Sequence, residues 1–227
     1  MNMKYYALIV AGGSGNRMQS AIAKQFLPLE GRPVLMHTLT AFHNCSLKPT
    51  LLLVLNIHQH AYWDELCAEY DFNIPHEVVK GGVQRFHSVK NGLKAIKGNG
   101  IVAIHDAVRP LVSSTLITRS FEVATEKGNC IPGVTPTDSI RKILPGDKSE
   151  ALNRSELALV QTPQTFRIDL LRKAYQEPFR NDFTDDASVV QYSGVDIHLI
   201  EGERENLKLT YPEDMEIAAL FLKKRSV

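Results

Sequence analysis

The sequence predicts an α/β fold in three layers. A mostly parallel, twisted sheet carries helices on both faces, and a β-hairpin arm protrudes from it. Three observations predict this. Short apolar runs, YYALIV (5–10), LLLVL (51–55), IVAI (101–104) and CIPGV (130–134), alternate with segments whose apolar residues recur at helical spacing. Strands that alternate with helices make parallel sheets flanked by helices. One stretch, residues 137–160, breaks the rhythm: polar and apolar residues alternate on either side of a Pro145-Gly146-Asp147 turn.

The first run, Tyr5 to Val10, opens into Gly12, Gly13, Ser14 and Gly15, with Arg17 and Lys24 beyond. Glycines let backbone approach a ligand closely. Successive N–H groups in such a loop can face an anion, and two cations beside it suit a triphosphate. The spacing is not a P-loop, and Met18 stands where a dinucleotide fingerprint needs its third glycine. An irregular, proline-punctuated stretch to Pro33 follows. Helices are predicted over 34–44, 61–70 and 84–97, with strands at 51–55 and 76–79. Gly81-Gly82 precedes the third helix, and Arg85 and Ser88 lie in its first turn, where free N–H groups favour anions. A strand over 101–104 ends at HDAVRP (105–110), which places Asp106 and Arg109 at a strand's C-terminal end. Ligands bind there in open α/β sheets.

Ser113 or Ser114 caps the next helix, to Lys127, and 130–134 is a strand. The hairpin carries little apolar area and needs something to lean on. QTPQTF (161–166) leads back to the body and a helix over 168–175. TDDAS (184–188) opens another helix, Asp185 and Asp186 being read as acidic first-turn residues. A strand at 197–200 and a short extended piece at 206–210 precede a final helix from Pro212.

The 227 residues, 44% hydrophobic and 22% charged, fit one large domain with an appendage. A net charge of +1 gives no general attraction to nucleic acid or anionic lipid, so phosphate-binding charge must be local. Cys45, Cys67 and Cys130 are scattered, which suits neither a disulfide framework nor a zinc site. A reducing, cytoplasmic setting is expected. The first strand starts too early for a signal peptide, and no apolar run approaches membrane-spanning length. His58 and His60 stand without a nearby carboxylate cluster and are read as surface residues.

Eight segments in register carry a resemblance: AGGSGNRM (11–18), KQF (24–26), GGVQRFHSVKNGL (81–93), HDAVRP, DSIRK with Asn153-Arg154, QTPQTF, TDDAS and EGERENLKLTYPED (201–214). Over nearly its whole length the chain resembles the 2-C-methyl-D-erythritol 4-phosphate cytidylyltransferase family. The resemblance implies a Rossmann-like three-layer sandwich, one nucleotidyltransferase domain over 1–227, and a homodimer joined by the 137–160 arm. It implies CTP and a sugar-alcohol phosphate as substrates, with Mg²⁺ held mainly through the nucleotide phosphates.

By the same resemblance Arg17, Lys24, Arg154 and Lys208 are catalytic. Ala11, Gly12, Gly13, Ser14, Gly15, Gly82, Arg85, Ser88 and Asp106 bind the nucleotide. Arg109, Ser139, Thr165 and Thr184 bind the acceptor, and Arg154 serves the partner's site. Two positions depart from the pattern. Ser139 stands where a threonine is usual, and Val83, where some relatives carry an acid, offers the base no polar side chain. Ribitol 5-phosphate is the alternative acceptor. A glycosyltransferase would need a DxD motif, but Ala107 and Val108 follow Asp106. A non-catalytic nucleotide binder would leave Lys24, Arg154 and Lys208 idle.

Overall fold

A computed structural model of the chain describes residues 3–11 and 22–225. In chain order its elements are β1 (Tyr5–Val10), β2 (Pro28–Leu29), β3 (Arg32–Pro33), α1 (Val34–His43), β4 (Thr50–Leu55), α2 (His60–Glu69), β5 (Glu77–Lys80), α3 (Arg85–Ala95), β6 (Ile101–Asp106) and α4 (Ser114–Lys127). There follow β7 (Asn129–Val134), β8 (Ile140–Leu144), β9 (Lys148–Leu152), β10 (Leu159–Val160), β11 (Gln164–Arg167), α5 (Ile168–Ala174), α6 (Asp186–Tyr192), β12 (Leu199–Glu201) and α7 (Pro212–Arg225).

The main sheet runs in the order β10-β7-β11-β6-β1-β4-β5, with β12 also paired to β7. β1 pairs in parallel with β4 on one side and β6 on the other. The strand order therefore reverses at β1. The connections after β1 and β6 lead in opposite directions along the sheet, to β4 and toward β7, and a crevice opens beyond the strands' carboxyl ends.

Helices on both faces explain the unbroken apolar runs, because a parallel strand buried on both sides has no wet face. Alternate side chains sort into two cores. Ala7, Ile9, Leu51, Leu53 and Ala103 pack with residues of α1, α2 and α4, such as Phe42, Trp63 and Phe121. Leu8, Val10, Leu52, Val54 and Ile104 pack with α3, α5 and α6 through Val89, Leu171 and Val190. A third, smaller cluster of Leu29, Val34, Val108, Leu111, Leu209 and Ala218 joins the chain after β6 to α7.

Most expected elements fall where their periodicity puts them, and Ser113 caps α4 by accepting from the Leu116 N–H. Three differ. The irregular stretch before α1 contains the small antiparallel pair β2 and β3. Residues 164–167, expected as a connection, form β11, which lies antiparallel between β6 and β7. Leu159 and Val160, expected within the hairpin arm, form β10, antiparallel to β7 at the edge of the main sheet. The short extended piece at 206–210 joins no sheet, as expected, and its Leu209 N–H donates to the Val108 carbonyl.

The expected hairpin forms, with its return strand at Lys148–Leu152 rather than over 151–157. β8 and β9 pair from Ile140–Leu152 to Leu144–Lys148. Gly146 and Asp147 turn the chain with left-handed backbone, which glycine adopts without penalty. Neither strand joins the main sheet, and Ile143 is 88% exposed.

Candidate active site

Three loops meet at the crevice. At the first, β1 passes into Ala11, whose N–H donates to the Val54 carbonyl. Gln25, almost fully buried, donates to the Ala11 carbonyl and to Gln59 Oε1, both at 3.1 Å. This pins the short helical turn Lys24–Phe26 to the end of β1 and buries Lys24 beside it. Gly12, Gly13, Ser14, Gly15 and Arg17 lie outside the described residues.

At the second loop, the Gly82 N–H donates to Ser88 Oγ at 3.0 Å. A Cβ at Gly82 would sit 2.3 Å from His87 Cβ, so only glycine lets the loop lie this close to α3. The loop delivers Arg85 as the first residue of α3.

The third loop follows β6, whose last residue, Asp106, is the hub of the site. Its carboxylate meets Arg85 Nε at 3.3 Å, Lys208 Nζ at 2.9 Å and Arg109 Nε at 3.6 Å. Arg85 also grips Asp186 at 2.6 Å, and Tyr175 donates to the other Asp186 oxygen at 2.5 Å. Burial works against an ionised Asp106, but Arg85, Lys208 and Arg109 outweigh it and hold the carboxyl well below the usual carboxylate range. Burial likewise disfavours the Arg85 charge, and Asp186 and Asp106 more than restore it. Burial, then Asp186, pushes Tyr175 well up, so its hydroxyl stays a donor. Three cations against two carboxylates leave one positive charge over, at the end of the sheet where an anionic ligand would lie.

His105, Thr162 and Arg109 fix the backbone under this hub. The Arg109 carbonyl can only accept, so His105 Nε2 carries the proton and donates to it at 3.0 Å. Nδ1 then accepts from the Thr162 hydroxyl at 3.0 Å, and that hydroxyl accepts the Asp106 N–H at 3.1 Å. Burial pushes His105 down to about 4, in keeping with a neutral ring.

Known proteins bear on what such a site does. The family profile for 2-C-methyl-D-erythritol 4-phosphate cytidylyltransferase matches residues 5–224. The enzyme of that name from Bacteroides fragilis is 49% identical over 216 residues, 95% of this chain and 98% of that one. The one from Porphyromonas gingivalis is 48% identical over 98% of this chain and 99% of its own. The chain belongs to this family. The crystal structure of 4-diphosphocytidyl-2C-methyl-D-erythritol synthase from Anaerococcus prevotii superposes with a TM-score of 0.82 at 25% identity, covering 97% of this chain and 99% of that one. The Thermus thermophilus cytidylyltransferase superposes at 0.78 and 28%, covering 97% and 100%.

Of the residues the family resemblance picks out, the fold brings Arg85, Asp106, Arg109 and Lys208 into contact and sets Ser88 under the Gly82 loop. It places others elsewhere. Ser139 and Thr184 are exposed, the latter just ahead of α6. Arg154, also exposed, donates to the Thr137 carbonyl at the foot of the hairpin. Thr165 is a correction to the expected acceptor group. It is fully buried in β11 opposite Ala103 and Cys130, with its hydroxyl unpartnered, so it faces the core and not the crevice. Its neighbour Gln164 faces α6, donating to Asp185 and accepting from the Ala187 N–H.

Asp185 is the α6 cap, in a reciprocal capping box with Ser188. Asp186 lies in the first turn of α6 as expected, but it is fully buried and serves Arg85. The contacts of Thr162 and Asn206 were not legible either. The signal for Asp186 was weak but present: a second acid directly after a capping acid, in a chain with an arginine at another helix start.

Proposed function

We infer that this chain joins CTP to 2-C-methyl-D-erythritol 4-phosphate, releasing pyrophosphate and yielding 4-diphosphocytidyl-2-C-methyl-D-erythritol for isoprenoid precursor synthesis by the non-mevalonate route. The observation that carries this reading is the Asp106 hub: a surplus of fixed cations at the switch-point crevice of a chain in this family. The acceptor's phosphate oxygen attacks the α-phosphorus of CTP in line. A new P–O bond forms as the bond to the bridging oxygen breaks, and pyrophosphate leaves with the electron pair. The nucleophile is already an anion, so no general base is required. The protein's task is to hold two polyanions together and stabilise charge on the five-coordinate phosphorus.

Lys24 and Arg17 are assigned to that charge, and Lys208 and a partner subunit's arm arginine, the equivalent of Arg154, to the acceptor phosphate. Arg85, with Asp106, faces the nucleotide side, and Arg109 the acceptor side. Magnesium enters this reading as an ion carried by the substrate. Bound through phosphate oxygens and water, it supplies further charge neutralisation. The exposed hairpin and its exposed Arg154 support a homodimer joined through the arm. No helix among the described residues is long and apolar enough to cross a membrane, and the three cysteines are free, which suits the cytoplasm.

The deciding measurement is pyrophosphate release from CTP with each acceptor in turn. Turnover with methylerythritol phosphate well above that with ribitol 5-phosphate is expected. The reverse preference, or no release with either, overturns the reading.

A further inference from the structure

Lys208 reaches Asp106 from a segment that belongs to no helix or strand, 203–208, yet the end of that segment is held by buried side chains. Asn206 is fully buried two residues before the lysine. Its Nδ2 donates to the Thr162 carbonyl at 2.8 Å and approaches Gln161 Oε1 at 3.5 Å. Gln161 cannot be turned round: its Oε1 accepts the Glu203 N–H at 3.1 Å while its Nε2 donates to the Glu203 carbonyl at 2.8 Å. Both groups facing Asn206 are therefore acceptors, and only the amide nitrogen can meet them. The backbone of the same residue takes a second load. Arg109 Nη1 donates to the Asn206 carbonyl at 2.8 Å. Thr162, whose carbonyl Asn206 holds, accepts the Asp106 N–H through its hydroxyl. Asn206 thus touches the strip under Asp106, touches Arg109, and sits next but one to Lys208.

We propose that Asn206 is a positioning residue. Its amide fixes the register between the Lys208 segment and residues 161–162, and so sets where the Lys208 ammonium and the Arg109 guanidinium stand around Asp106. This deepens the cytidylyltransferase reading and rests on it for the catalytic consequence, though not for the geometry. A displacement of about 1 Å in a group that positions substrate can cost on the order of a hundredfold in rate.

Asn206→Asp keeps the shape and turns a donor into a third acceptor, so it breaks both side-chain contacts at once. Asn206→Ser, which keeps a small donor, stands in if the aspartate variant fails to fold by thermal melting. The first readout is independent of turnover: the rate at which formaldehyde and borohydride methylate Lys208, followed by mass spectrometry, with Lys94 as internal reference. Loss of its charge-assisted hydrogen bond is expected to raise Lys208 labelling by up to about tenfold. An unchanged ratio to Lys94 overturns the proposal.

The second readout is kcat in a cycle of Asn206→Asp, Lys208→Ala and the double variant. If Asn206 acts through Lys208, the single aspartate variant loses about tenfold or more, and the double variant is no worse than Lys208→Ala alone. Losses that multiply mark a merely structural role and overturn it. A wild-type chain with no pyrophosphate release sinks the functional reading instead, and the labelling ratio then decides the geometry.

Discussion

Asp106 sits where it does because its backbone N–H is held by Thr162 and its neighbour His105 is locked as a neutral ring. That ring makes a testable pH dependence. His105 is fully buried and its pKa is pushed to about 4, against 6.5 when unperturbed. Between those values the unfolded chain takes up a proton that the folded chain does not. Stability therefore falls as pH drops through that window, by on the order of 3 kcal/mol in total, and levels off below it. Urea unfolding at pH 7 and pH 5 should show wild type losing more stability than His105→Asn, which has no proton to take up. Equal losses would mean that the ring is already charged or already solvated. What could be read of the site residue by residue follows the same logic of burial. Asp106, Arg109 and Lys208 stand at strand ends or in charged loops, where chemistry-bearing residues are expected. Asp186 and Asn206 look like ordinary surface polars, because the partners that hold them are distant in sequence: Arg85 is 101 residues from Asp186, and Gln161 and Thr162 are 45 and 44 from Asn206.

At the scale of elements, continuous apolar runs and helical spacing gave away β1, β4, β6 and the helices around them. β11 stayed hidden because its four residues are Gln, Thr, Phe and Arg, directly after a proline. It is a strand because β6 and β7 offer it hydrogen-bonding edges, a cause that no local pattern carries. The junction of β5 and α3 was only half legible: a glycine pair was visible, but the reason for it is the 2.3 Å approach to His87. Gly82→Ala must push the first turn of α3 aside. A clash against backbone and Cβ costs roughly 1–3 kcal/mol. In a chain of this size that is a fall of about 2–12 °C in Tm by calorimetry. Because Arg85 rides on that turn, the KM for CTP should rise as well. A variant with wild-type Tm and KM would show that the loop does not hold Arg85 in place.

The whole molecule poses the sharpest test, because the arm extends away from the rest of its own chain. β8 and β9 pair only with each other, and Arg154 stands exposed at their base, while Lys24 is buried at the end of β1. If the arm crosses to a second copy, each site takes Lys24 from one subunit and Arg154 from the other. Lys24→Ala alone should lose about a hundredfold or more in kcat with its fold intact, as expected when a cation on the transition state is removed. Arg154→Ala alone should raise the acceptor KM or lower turnover while CTP binding is largely kept. When the two variants are unfolded, mixed in equal amounts and refolded, random pairing makes about half the dimers mixed. In a mixed dimer with crossed arms, one site collects both substitutions and the other collects neither. Activity should then return to about a quarter of the wild-type rate per chain, above either variant alone. With arms folded onto their own subunits, every site would keep one lesion and the mixture would show only the average of its parents. That outcome, or a chain that sediments as a monomer, would remove Arg154 from the partner's site and leave Lys208 alone to hold the acceptor phosphate.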